Sequence, residues 1–173
     1  MDALGRLFDI SVGWMPTSMH AALTGKRVCL KNYAGCTIVF IATNVGTTDD
    51  PAPSLQQHTA YTGGTSADLA VMDTIYRKSE TGLDGDEAWT KTTQTAAAIM
   101  TAVAGEADKQ QIFVIEVDAA QLTDGYSWIS VNHADLGTDA KVCAVLYILR
   151  DLLVQRTPAN MPNPLRPGVA NAP

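Results

Sequence analysis

Little of this sequence is charged. Asp, Glu, Lys and Arg make up 17% of it, below the roughly 25% of ordinary soluble domains, and Lys and Arg form no run anywhere. With a net charge of -6 and a pI near 4.8, the chain lacks the clustered cations that phosphate contacts need, which argues against nucleic acid as a partner. Long apolar runs are missing too: Cys36 to Ala42 falls far short of the roughly 20 residues of a membrane helix. The first residues show no basic segment followed by an apolar core, so the expectation is a soluble protein made in the cytosol, with no membrane partner. Cysteine is sparse. Cys29, Cys36 and Cys143 include no CxxC spacing, which argues against zinc and dithiol chemistry and predicts buried free thiols.

Signatures of catalysis are equally scarce. There is no GxSxG elbow to single out a serine, and the Gly-rich "TGGT" has neither a lysine nor a helical pattern behind it to cradle phosphate. His20 and His58 stand alone among Thr, Met, Ala and Gln, and read as surface or packing residues. The loop "GLDGDE" carries acids without the Asp-x-Asp-x-Asp-Gly spacing of an EF-hand, so a solvated turn is expected. One stretch concentrates reactive side chains: "SVNHADLGTDAKVCAVLYILR". His133, Asp135 and Asp139 in it are of the types that bind a metal or relay a proton. They surround Gly137 between two strand patterns, where Asn, Asp and Gly serve turn geometry, and no second ligand cluster completes a coordination shell. A turn feeding the last strand is the expectation, with no cofactor and no catalytic residue.

What the sequence does contain is strand pattern. "CTIVFIATN", "SLQQHTA", "QIFVIEVD", "YSWISVN" and "AKVCAVLYILR" are short, rich in β-branched and aromatic residues, and bounded by Gly, Pro, Asp and Asn. "KRVCLKN" followed by "CTIVFIATN" has the look of a hairpin, "DLAVMDTIYRKS" alternates as one strand, and "EAWTKTTQ" reads as another with Trp89 as its core anchor. Trp128 also falls on a strand position that favours burial. "TAAAIMTAVAGEADKQ" reads as strand and loop, and "AAQLTDG" supplies one helical turn. In the last strand Val142, Ala144, Leu146 and Ile148 share one face and Cys143, Val145, Tyr147 and Leu149 the other, and both faces look buried. About eight such strands without a heptad predict a mainly β protein, an antiparallel β-sandwich or jelly roll with extended terminal arms.

The expected organisation is an arm over 1–25 with a short helical turn, a sandwich over 26–154, and a second arm over 155–173. Five of the eight prolines lie in that last segment, at Pro158, Pro162, Pro164, Pro167 and Pro173, which predicts an extended tail. Met161 and Leu165 are apolar residues within it that suit anchoring on a neighbour. Pro158, Met161, Pro162, Pro164 and Leu165 are therefore the candidate interface residues.

The phrases "GKRVCLKNYAGCTIVF", "DDPAPSLQQHTAYTGGTSADLAV", "YRKSETGLDGDEAWTKTTQ", "DGYSWISVNHADLGTDAKVCAVLYIL" and "QRTPANMPNPL" follow one another over Gly25 to Leu165. In order and texture they resemble small virion structural proteins of tailed bacteriophages, of the head-decoration or minor-capsid type. The resemblance implies a cofactor-free β-domain on the head surface. It would bind the major capsid protein and further copies of itself, in a homo-oligomer such as a trimer. A tail or baseplate component is the nearest alternative. A sugar-binding β-sandwich, with Trp14, Trp89 or Trp128 as a platform for pyranose rings, is the alternative from another class.

Overall fold

A computed structural model describes residues 3–5, 7–44, 50–137 and 141–153. In chain order its strands are β1 (Phe8–Ser18), β2 (Leu23–Thr24), β3 (Val28–Cys29), β4 (Tyr33–Ala42), β5 (Ser54–His58), β6 (Ser66–Asp68), β7 (Met72–Glu80), β8 (Thr90–Ala97), β9 (Gln110–Asp118), β10 (Trp128–His133) and β11 (Val142–Leu152). Every strand pairing is antiparallel. One sheet has the order β1-β11-β4-β9-β7-β8, and a smaller sheet the order β2-β10-β5-β6 with β3 also paired to β10. The protein is mainly β and built as a sandwich, as the strand patterns predict.

Alternation explains the packing. In β4 the residues Cys36, Ile38, Phe40 and Ala42 turn inward, and in β11 so do Cys143, Val145, Tyr147 and Leu149. They meet Leu55, Ile129 and Val131 of the smaller sheet in one buried cluster. Phe40 sits at its centre, with Trp14 edge-on at 6.2 Å, Phe113 at 5.7 Å and the His133 ring stacked at 6.2 Å. A hydrogen bond ties the layers together: the amide of Val131 in β10 donates to the Tyr147 hydroxyl of β11 at 2.9 Å.

Several expectations are corrected. The segment expected as an N-terminal arm contains β1, an eleven-residue strand paired along β11 from Phe8 to Ser18. Its pattern is hidden because Gly13 and Pro16 sit at register shifts, and Pro16 is tolerated because β1 is an edge strand. Gly13 is needed there, since a Cβ would lie 2.7 Å from Val145 Cγ1. The expected hairpin does not form: β3 pairs with β10 and β4 with β11 and β9, so the chain crosses between sheets at Leu30 to Asn32. "DLAVMDTIYRKS" is split, with β6 ending at Asp68, Leu69 turned into the core, and β7 beginning at Met72 in the other sheet. The helical turn after β9 is a short 3-10 element, Ala119–Gln121, where the Asp118 amide donates to Gln121 Oε1 at 2.8 Å. The tail over 155–173, with Pro158, Met161, Pro162, Pro164 and Leu165, lies outside the described residues.

Candidate interaction surface

The two outer faces of the sandwich differ in chemistry. On the smaller sheet the outward side chains form a polar network. Asn132 Nδ2 donates to Gln56 Oε1 at 3.0 Å, Gln56 Nε2 donates to Asp68 Oδ1 at 3.3 Å, and Asn132 Oδ1 accepts from the Gly25 amide at 3.0 Å. His58 lies in this network, buried, with Ser66 Oγ 2.7 Å from Nδ1 and Ser130 Oγ 2.9 Å from Nε2. An imidazole beside a serine hydroxyl is the arrangement that activates a nucleophile. Burial and the nearby Arg27 guanidinium, however, lower the His58 pKa to about 4, which makes it a weak base near neutral pH. The same guanidinium donates to Ser66 Oγ at 3.2 Å and to the carbonyls of Ala60 and Gly63, both at 2.8 Å. Ser66 is thus held in a structural network.

His133 and Asp135 hold local structure as well. His133 ends β10, with Nε2 accepting from the Ala52 amide at 2.9 Å and Nδ1 placed to donate to the Ala134 carbonyl at 2.6 Å. Burial depresses its pKa, opposed by the Ala134 carbonyl. Its ring pins the 50–53 segment to the core. Asp135 Oδ1 accepts from the Gly137 amide at 2.6 Å, the expected turn, while Asp139 lies outside the described residues. His20 is exposed. Asp84, Asp86 and Glu87 cluster in one loop, where Glu87 Oε1 accepts the Asp84 and Gly85 amides, chiefly the latter holding its carboxyl below the usual range. Lys141, absent from the sequence candidates, is fully enclosed and donates to Gln111 Oε1 at 3.1 Å. Burial lowers its pKa against the pull of Asp50, Asp108 and Glu106.

The outer face of the six-stranded sheet has an apolar centre. Strand register places Val12, Leu146, Val39, Val114 and Tyr76 in one row across five strands. A parallel row holds Ala144, Ile41 and Ile112, and a third begins with Ile10 and Ile148 before turning polar at Thr37 and Glu116. These are the residues of β11 expected to be buried on a second face. They are only partly covered: Val142 is exposed, and Ala144, Leu146 and Ile148 are half-buried. Trp89, the expected core anchor, is 51% exposed just before β8. With Tyr76 and Val114 it lines a shallow hollow of about 320 Å³ whose wall is almost wholly apolar. The Lys78 ammonium lies 5.3 Å from its ring centroid. Trp14 is buried, and Trp128 is half-buried against Tyr61 at 5.4 Å.

One end of this face is acidic. Gly35 has no side chain there, so Arg150 crosses it to reach Glu116 at 3.0 Å, Asp118 at 2.6 Å and Asp151 at 3.0 Å. Three carboxylates thus surround one cation. Such a surface, with a continuous apolar centre and a charged rim, has the composition of a protein contact site. Comparison with known proteins gives no match to any family model, curated protein or solved structure.

Proposed function

We propose that this chain is a non-enzymatic structural protein of a tailed-phage virion, which coats the head surface and stabilises the shell by binding the major capsid protein and further copies of itself. The observation that carries the assembly reading is the apolar row from Val12 to Tyr76, which crosses five of the six strands on the outer face of the larger sheet. Covering such a face gains roughly 25 cal/mol for each Å² of apolar area removed from water. The sequence resemblance supports the choice of particle, and the enclosed state of His58, His133 and Lys141 supports a role without catalysis.

A tail or baseplate position uses the same surface and is the nearest alternative. The exposed pair of Trp89 and Tyr76 favours a sugar platform, but pyranose hydroxyls require several converging hydrogen-bonding groups beside the rings, and apart from the Lys78 ammonium beside Trp89 the hollow wall is almost wholly apolar. The deciding measurement is mass spectrometry of separated heads and tails, followed by co-sedimentation of the purified protein with empty heads. Saturable binding to heads is expected. Recovery in tails alone, or binding to a glycan array with no binding to heads, overturns the reading.

A further inference from the structure

We infer that the proline-rich segment Pro158 to Pro167 of one copy lies across the apolar outer face of the six-stranded sheet of a second copy, with the Tyr76, Trp89 and Val114 hollow as its main seat. This inference rests on the assembly reading above and names the contact that makes it.

Size is the first argument. The longest apolar row crosses five strands, about 19 Å at the usual strand spacing, and the shorter rows beside it follow β11 from Val142 to Ile148, about 20 Å at the usual rise, so the rectangle that encloses them is an upper bound on the apolar area. That bound is about 400 Å², half of the roughly 800 Å² that each partner contributes to a standard protein interface. The face is small for a second domain. It suits an extended peptide: from Pro158 to Pro167 a polyproline helix spans about 28 Å at ~3.1 Å per residue, the diagonal of the face.

Chemistry agrees with size. The face of a sheet, unlike its edge, offers no backbone hydrogen bonds, so an occupant leaves its own amides unpaired where they are covered. Proline has no amide hydrogen, and the segment carries Pro158, Pro162, Pro164 and Pro167, with Met161 and Leu165 as the apolar residues between them. Aromatic-lined grooves accept such segments by packing proline rings on aromatic faces, and Tyr76 and Trp89 provide two. Charge agrees too. Residues 155–173 contain Arg156 and Arg166 and no acid, while the acidic end of the face gathers Glu116, Asp118 and Asp151 around Arg150, and at the seat the Lys78 ammonium is paired with Glu87 at 3.7 Å.

β11 passes the Val114 row at Leu146 and continues past the acidic end to Leu152, and the Leu153 amide still donates to the Asn32 carbonyl at 3.0 Å. The described chain thus ends beyond the face, past its acidic end.

The test uses full-length chains. One variant carries Met161→Asp with Leu165→Asp in the tail, and another carries Val114→Lys in the face, with Tyr76→Ser as a second face variant should the first melt early. Sedimentation velocity is run on each alone and on equimolar mixtures. The expected result is self-association of the wild type weakened about tenfold or more in every variant, and restored pairing when a tail variant is mixed with a face variant. Such a mixture retains one intact tail and one intact face. A mixture that stays monomeric overturns the inference, and so does a wild type that remains monomeric while the tail variant alone changes Trp89 fluorescence, which would place the tail on its own sheet. Association lost in the face variants but kept in the tail variant overturns the tail contact while leaving the assembly reading in place.

Discussion

Cys143 and Cys36 face inward from neighbouring strands, and their surroundings set how they react. Burial pushes the Cys143 thiol up to about 11, although the Trp14 indole N–H donates to its sulfur at 3.1 Å and pulls the other way. Cys36 is fully enclosed and is raised further, chiefly by burial and then by Glu116. Since the thiolate is the nucleophile, alkylation of native protein at pH 8 should be slow at both and become fast only in denaturant, as followed by mass spectrometry over time. Rapid labelling of native Cys36 would contradict the packing of β4. His58 gives the complementary prediction for acid. Its folded pKa, about 4, lies below the ordinary 6.5, so the folded state holds fewer protons than the unfolded chain between those values. Stability is therefore complete above pH 6.5 and falls as the pH drops toward 4. His58→Gln, which can still bond Ser66 and Ser130, should flatten the dependence of Tm on pH in that window. An unchanged slope would show that the imidazole titrates freely.

At the level of elements, the joint between β2 and β3 packs backbone closely on backbone. A Cβ at Gly25 would lie 2.1 Å from the Val131 carbonyl oxygen of β10, and the Gly25 amide donates to Asn132 on the same strand. Gly13 in β1 meets a side chain instead, Val145 Cγ1, which can move by rotation or a small shift. Overpacking in a core costs roughly 1 to 3 kcal/mol. Gly25→Ala should therefore fall at or above the top of that range and Gly13→Ala nearer the bottom, measured by urea unfolding with matched m-values. The reverse order would mean that β2 and β10 separate more easily than β1 and β11. β1 also shows why an edge strand is hard to read: its two register shifts break the alternation that would announce it, and only its pairing with β11 reveals the strand.

For the whole molecule, the asymmetry of the two outer faces is the feature with functional consequence. Leu146 projects from the apolar row, between Val12 and Val39 and away from the cluster that holds the sheets together. Leu146→Lys should accordingly move Tm by no more than about 2 °C while weakening self-association and binding to heads. A large loss of Tm with association intact would make this face part of the folding core. The sequence by itself determined the local terms: strand pattern, breakers, absence of cofactor motifs, the turn at His133 to Gly137, and buried thiols. These follow from alternation and turn chemistry over a few residues, which need no knowledge of distant neighbours. Only the tertiary structure decided which sheet each strand joins, that β3 and β4 part company, and that β1 belongs to the fold. It also decided that Trp89 is exposed and that Val142, Ala144, Leu146 and Ile148 lie on an outer face. An apolar residue on a strand carries the same pattern whether its face meets the other sheet or none. That distinction arises when strands far apart in sequence pair, because pairing sets how many sheets form and therefore how many apolar faces find a partner within one chain.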